Sequence, residues 1–256
     1  MLSKNTLLQK ISAPLRLCAR FKPLDWLYPR DCPECNAPSD REGRYWCWSC
    51  FRKIELFAQH GGCDICGQRT EGGVAHSFVC GACLAQRPRF DRARAAADFT
   101  HTLREQIHAF KYQGAMWMRH DLCDVLEGAA RTHFHVATVD VVMPVPLHRL
   151  RRRSRSFNQS ALLAEELARR IDRRCDAQSL VRVRDTATQT KLNAARRREN
   201  IAGAFEVKRP EWVAQRCVLL VDDVMTTGAT LDECARALKS AGARTVWAVT
   251  VARRKS

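Results

Sequence analysis

No stretch of this 256-residue sequence is apolar for long enough to cross a membrane. The opening segment MLSKNTLLQKISAPLRLCAR also lacks the continuous apolar block of a secretion leader. Acidic residues are scarce, with 27 Asp and Glu against 43 Lys and Arg and a net charge of +16. The first two absences argue against a membrane-spanning or secreted chain and make the cytoplasm the expected location. The acid deficit points to anionic partners. With 46% hydrophobic residues the chain can bury a core, which excludes a disordered polyelectrolyte. Leu7, Leu8, Ile11 and Leu15 recur at helical spacing among basic residues, so residues 1–24 are expected to form a basic segment with a short helix.

The positive charge is concentrated. Residues 141–216 carry 18 Lys and Arg against 8 Asp and Glu. Arg149, Arg151, Arg152, Arg153 and Arg155 crowd one segment, and Lys191, Arg196, Arg197 and Arg198 crowd another. Cations this close repel one another unless an anion lies between them, so a polyanion or a pyrophosphate is the expected partner.

The thirteen cysteines are an odd number in a chain without a leader, and their spacing does not suit a disulfide framework. Eight of them form four C-x-x-C pairs: Cys32 with Cys35, Cys47 with Cys50, Cys63 with Cys66, and Cys80 with Cys83. A C-x-x-C turn presents two sulfurs to one metal, and a second pair across a short hairpin completes a tetrahedral thiolate site. Two structural zinc ribbons over residues 25–84 are therefore expected, with the zinc serving as core for units too small to build one. Pairing in chain order and a cross-braced arrangement both remain open here. Cys18, Cys123, Cys175, Cys217 and Cys234 are isolated and read as small buried apolar residues.

The densest signal is VLLVDDVMTTGAT, residues 218–230. Four apolar residues suit a parallel strand buried on both faces. Asp222 and Asp223 at its carboxyl end can accept hydrogen bonds from two vicinal hydroxyls, and Thr226, Thr227, Gly228, Ala229 and Thr230 offer hydroxyls and close amides at a helix start, where a phosphate can sit. A ribose 5-phosphate satisfies both halves. Around this motif the chain alternates strand and helix: a strand at 93–99, helices in TLREQIHAFKY and AMWMRHDLCDVLEGAAR, a strand at 139–146, and a helix in NQSALLAEELARRI capped by Asn158. LDECARALKSAG then gives a helix and TVWAVTVA a final strand. The expected architecture is α/β, a mainly parallel sheet flanked by helices over residues 93–256, preceded by the small ribbon domain.

The 218–230 stretch resembles the phosphoribosyl-pyrophosphate (PRPP) motif of type I phosphoribosyltransferases. Over residues 25–253 the chain resembles the ComF family of phosphoribosyltransferase-like competence proteins. That resemblance rests on the double C-x-x-C head, on FKYQG at 110–114, on VMPVPLHRLRRRSRSFNQS at 142–160 and on QTKLNAARRRENIAGAF at 189–205. It implies the type I phosphoribosyltransferase fold, a PRPP site with magnesium, and ribose hydroxyls on Asp222 and Asp223 with the 5′-phosphate on residues 226–230. It further implies cations at Lys111, Arg149 and Arg153 toward the pyrophosphate, and a flap at 185–200. The family glycine before Phe157 is replaced by Ser156. No catalytic base is marked. The expected role is single-stranded DNA handling during DNA uptake, alongside uptake or recombination proteins, with transfer of ribose 5-phosphate to a small acceptor as the alternative. Tyr45, Trp46, Trp48 and Phe51 lie among Arg44, Arg52 and Lys53. They read either as ribbon core or as stacking surfaces for bases.

Overall fold

A computed structural model describes residues 30–57, 61–69, 78–148, 157–184 and 194–254. The first apolar strand is β1, Arg92–Asp98, followed by helices α3, His101–Tyr112, and α4, Arg119–His133. Strand β2 is Val141–Pro144, shorter than the 139–146 expected, and Pro146 beyond it has no amide to donate to a ladder. Helix α5, Gln159–Arg170, leads to the two-residue strand β3, Arg174–Cys175. Strands β4, Leu180–Arg182, and β5, Phe205–Val207, flank helix α6, Ala194–Ile201. The chain closes with β6, Cys217–Met225, helix α7, Ala229–Ser240, and β7, Thr245–Arg253. Two short helical turns in the ribbons, α1, Trp48–Phe51, and α2, Gly81–Ala85, each follow the first cysteine of a C-x-x-C pair.

Five strands form one parallel sheet in the order β1-β7-β6-β2-β3, and β4 pairs with β5 as a separate antiparallel ribbon. The period of two along a strand separates two cores. Leu219 and Val221 of β6 pack with α3, α4 and α5, whereas Val218 and Leu220 pack with α7 and the β4–β5 ribbon. The neighbouring strands β2 and β6 therefore send their following helices, α5 and α7, to opposite faces. Their carboxyl ends border the crevice where such sheets bind ligands.

The ribbons are built into this sheet. Trp46, Cys47, Cys50 and Ile54 join the α3–α5 core, while Cys63, Ile65 and Cys66 join the α7 core. Between them lies the edge strand β1: the Phe57 amide donates to the Ala96 carbonyl at 2.7 Å, and the Ala93 amide donates to the Ile65 carbonyl at 2.7 Å. An open strand edge invites pairing with another chain, and the ribbons cover it.

The basic segment at 1–24, the arginine cluster at 149–155 with Ser156, and the flap residues 185–193 lie outside the described residues. The rest of the flap segment, from Ala194, is helix α6.

Candidate functional site

Strand β6 runs two residues past the acid pair and stays paired with β7 as far as Met225, so the two carboxylates rise from within the strand rather than after it. Pairing with β2 ends at Val221, which leaves Asp222 and Asp223 facing the crevice. Helix α3 brings Lys111 to them, with its Nζ 2.8 Å from Asp223 Oδ1. Helix α5 supplies Ser160, whose hydroxyl donates to Asp222 Oδ1 at 2.8 Å. The Asp223 amide donates to the same oxygen at 2.9 Å. Burial, reinforced by the negative charge of Asp223, pushes the Asp222 carboxyl up to about 7, against the pull of Lys111.

Asn158 explains why α5 starts where it does. Its Oδ1 accepts from the Ser160 amide at 3.1 Å and its Nδ2 donates to the Val145 carbonyl at 3.2 Å, so one side chain caps the helix and fixes the segment after β2. The turn after β6 depends on Gly228, which sits at φ +81° as the N-cap of α7. A Cβ there would lie 2.8 Å from Met225 Cε, so the loop closes tightly on its own strand.

These groups line one cavity of about 800 Å³. It brings together Lys111, Asp222, Asp223, Thr226, Gly228, Ala229 and Thr230, all expected from the sequence. Thr227, between them in the same loop, accepts from the Ala229 amide at 3.5 Å. Arg149 and Arg153 lie outside the described residues. Sequence reading missed four cationic or imidazole side chains in the lining, namely Arg104, His108, Arg182 and Arg254, and also missed Ser160 and Gln159. Ser160 had a usable signal, since Asn158 as the cap sets it in the first turn of α5, beside the sheet's ligand crevice. Arg182 had none, because β4 is three residues long and its partner β5 lies more than twenty residues away.

A second cavity of about 700 Å³ lies between α3 and the first ribbon, lined by Pro33, Gln113 and Trp117 and sharing Arg104 and His108 with the first. Trp117 is 40% exposed and packs on Tyr45 at 4.2 Å between ring centroids, while Tyr112 is 58% exposed and packs on His108 at 4.8 Å. The two readings of the ribbon aromatics divide here. Trp46 is fully buried, hence core, and Arg44 is held by Asp124 in a two-point ion pair rather than presented to solvent. Trp48 remains half exposed.

The cysteines gather in chain order, not cross-braced: Cys32, Cys35, Cys47 and Cys50 form one group and Cys63, Cys66, Cys80 and Cys83 the other, with the sulfurs of each group within 4.8 Å of one another. A tetrahedral zinc with Zn–S bonds of about 2.3 Å requires sulfurs about 3.8 Å apart. The Cys35–Cys47 and Cys66–Cys80 separations are both 3.7 Å. Both sites thus fit a structural zinc ion. Amide donors prepare the thiolates. Burial disfavours the Cys63 thiolate, yet the amides of Cys80, Cys66 and Ile65 outweigh it and hold the thiol down to about 7. Of the isolated cysteines, Cys123, Cys217 and Cys234 are buried, as expected, and Cys175 is half-buried. Cys18 lies outside the described residues.

Known proteins match this arrangement. Residues 23–84 match the Double zinc ribbon domain family and residues 158–256 the Phosphoribosyl transferase domain family. The chain is 34% identical to Competence protein F of Haemophilus influenzae over 202 residues, covering 77% of this chain and 85% of that protein. It is 35% identical to the DNA utilization protein YhgH of Escherichia coli O6:H1 over 216 residues, covering 78% and 93%. With Competence protein ComFC of Bacillus subtilis it shares 27% identity over 205 residues, covering 77% and 78%.

Proposed function

This chain belongs to the ComF family, and we propose that it is a PRPP-binding phosphoribosyltransferase-like protein of the cytoplasm that handles single-stranded DNA during DNA uptake. The observation that carries the PRPP half is the single cavity in which an acid pair, a lysine and a glycine-turned threonine loop converge. Vicinal ribose hydroxyls donate to Asp222 and Asp223. The amides and hydroxyls of residues 226–230 receive the 5′-phosphate at the start of α7. Lys111, released from Asp223 as the sugar takes that carboxylate, turns to the pyrophosphate together with Arg104 and with Arg149 and Arg153 of the neighbouring basic segment. Magnesium arrives with PRPP and neutralises part of the pyrophosphate charge. Eight cysteines arranged as two four-sulfur metal sites rather than as a disulfide framework suit a reducing compartment.

The DNA half is supported by the names of the relatives and by the adjoining cavity. Exposed Trp117 in that cavity and exposed Tyr112 at the first one offer faces on which unpaired bases stack, and Arg104 lines both. Calorimetry with magnesium and PRPP tests the first half: wild-type protein binds and the Asp222→Ala/Asp223→Ala variant does not. Equal binding by both refutes the assigned site. Anisotropy with a fluorescent oligo-dT tests the second, with affinity falling linearly in log salt. Trp117→Ala weakens it by about 1–3 kcal/mol. A flat salt response with an unaffected Trp117→Ala refutes a strand in the adjoining cavity.

A further inference from the structure

Arg253, at the end of β7, is a buried cation without a carboxylate partner among the described residues. Its Nη1 donates to the Cys66 carbonyl at 2.5 Å, its Nη2 lies 3.8 Å from Cys66 Sγ, and its Nη1 also lies 3.6 Å from Met225 Sδ. A buried guanidinium without a counter-charge is costly. Here the counter-charge is within reach: four thiolates on one zinc carry a formal net charge of about −2, and Cys66 is one of the four. The loaded second ribbon therefore supplies the buried arginine's counter-charge, and the arginine offsets about half of the ribbon's own.

The other end of this contact reaches the phosphate loop. Met225 pairs with Arg253 in the β6–β7 ladder, and the Arg254 amide donates to the Met225 carbonyl at 2.9 Å. The methyl end of Met225 fills the space beside Gly228, and Phe90 closes it from the ribbon side. A further tie holds the same ribbon to the sheet, since Arg94 Nη2 donates to the Asp64 carbonyl at 3.1 Å.

We infer that Arg253 is a positioning residue that couples metal loading of the second ribbon, Cys63–Cys66–Cys80–Cys83, to the geometry of the 226–230 loop through Met225. This rests on the reading of that loop as the PRPP phosphate site. When the second zinc is present, Arg253 is pinned to Cys66, Met225 is held against Gly228, and the loop amides stay aimed into the cavity. When it is lost, the arginine has no local counter-charge and the strand end relaxes. The first ribbon, on the opposite face of the sheet, has no such link among the described residues.

The test uses full-length, zinc-loaded protein. In Arg253→Met, zinc release to a chromophoric chelator becomes biphasic, with one of the two ions leaving at least tenfold faster. Amide exchange at 225–230 rises about tenfold while the amides of β2 and α5 keep their wild-type rates, and the Kd for magnesium–PRPP rises about tenfold. Arg253→Lys, which keeps the charge, restores most of the zinc retention and loop protection. Cys83→Ser, which empties the second ribbon, raises loop exchange in the same way, whereas Cys35→Ser in the first ribbon leaves it unchanged. Loop exchange in Cys83→Ser equal to wild type, or a uniform rise across the sheet in both Arg253 variants, overturns the coupling. If the wild-type protein fails to bind PRPP while zinc release and loop exchange still respond, the coupling holds and the PRPP assignment fails.

Discussion

Replacing Asp121 by Ala should undock the first ribbon while leaving the PRPP cavity in place. Asp121 is completely buried on α4. One of its oxygens accepts from the Tyr45 amide at 3.0 Å, and the other accepts from the Trp46 amide at 3.1 Å and from Arg41 Nη1 at 3.2 Å. Arg41 is itself buried, stacks over Phe51 at 3.9 Å, and reaches Asp124 with its other nitrogen. Two ribbon amides would be left without acceptors at about 1–2 kcal/mol each. Arg41 would keep Asp124 as its carboxylate partner and the Trp46 carbonyl at 3.4 Å, so the total loss is about 3–5 kcal/mol, the range for breaking one side of a buried pair. Asp121→Asn keeps one acceptor oxygen and should lose about half as much. By contrast, Lys208→Ala breaks an exposed pair with Glu206 and should cost about 0.5 kcal/mol or less. Urea unfolding followed by tryptophan fluorescence reads these differences. Exchange at residues 41–50 should rise most, oligo-dT binding should weaken because the Pro33–Trp117 cavity opens, and PRPP binding should stay within about twofold. A loss below about 1 kcal/mol for Asp121→Ala, or PRPP binding that collapses with ribbon undocking, would refute the reasoning.

The carboxyl of Asp222 is raised in the fold from 3.8 to about 7, so the folded state binds the extra proton between those values and the free protein loses stability as pH climbs through that window. Ribose hydroxyls favour the ionised form, so PRPP affinity should rise from pH 6 to 8 by about tenfold per unit below 7. Calorimetry of Asp222→Asn should show a flatter profile, and an identical slope sinks the assignment. Gly228→Ala forces a left-handed residue to carry a Cβ against Met225 and should lose about 1–2 kcal/mol together with PRPP affinity. Gly114→Ala, at φ +69° with open space, should lose stability by the strain alone and keep PRPP binding; equal PRPP loss in both variants rejects the loop argument.

The parts of the fold that sequence made visible are those whose signal is local. Apolar runs marked β6 and β7, Asn158 marked the start of α5, and the C-x-x-C spacing marked two metal sites. Asp222 and Asp223 were readable because two adjacent acids after a buried run suit a ligand better than a turn. What stayed hidden depends on pairing across distance. Strand β3 has two residues and β4 and β5 three each, too short for a period, and their partners are fixed only by the finished sheet. Trp46 looked as available as Trp48 because the ribbon spacing is silent about which face meets α4. Arg253 carried no signal in the sequence, and only the fold of the second ribbon against β7 brings Cys66 to it.

The same facts bear on why zinc ribbons and a nucleotide-type sheet share one chain. Strand β1 is small-sided, with buried Ala93, Ala95, Ala96 and Ala97, so it lets covering segments approach closely. Gly67 uses that space: a Cβ at its φ of +71° would lie 3.0 Å from the Ala93 carbonyl. The first ribbon takes one face of the sheet through Trp46 and Ile54, the second takes the other through Ile65 and Cys66, and both hydrogen-bond to β1 in between. A ribbon too small to bury itself gains a core from the sheet, and the sheet loses an exposed edge. The placement also decides what each ribbon can influence. The first borders the second cavity through Pro33, and the second meets the end of β6 through Arg253, so ribbon one sits beside that cavity and ribbon two beside the 226–230 loop.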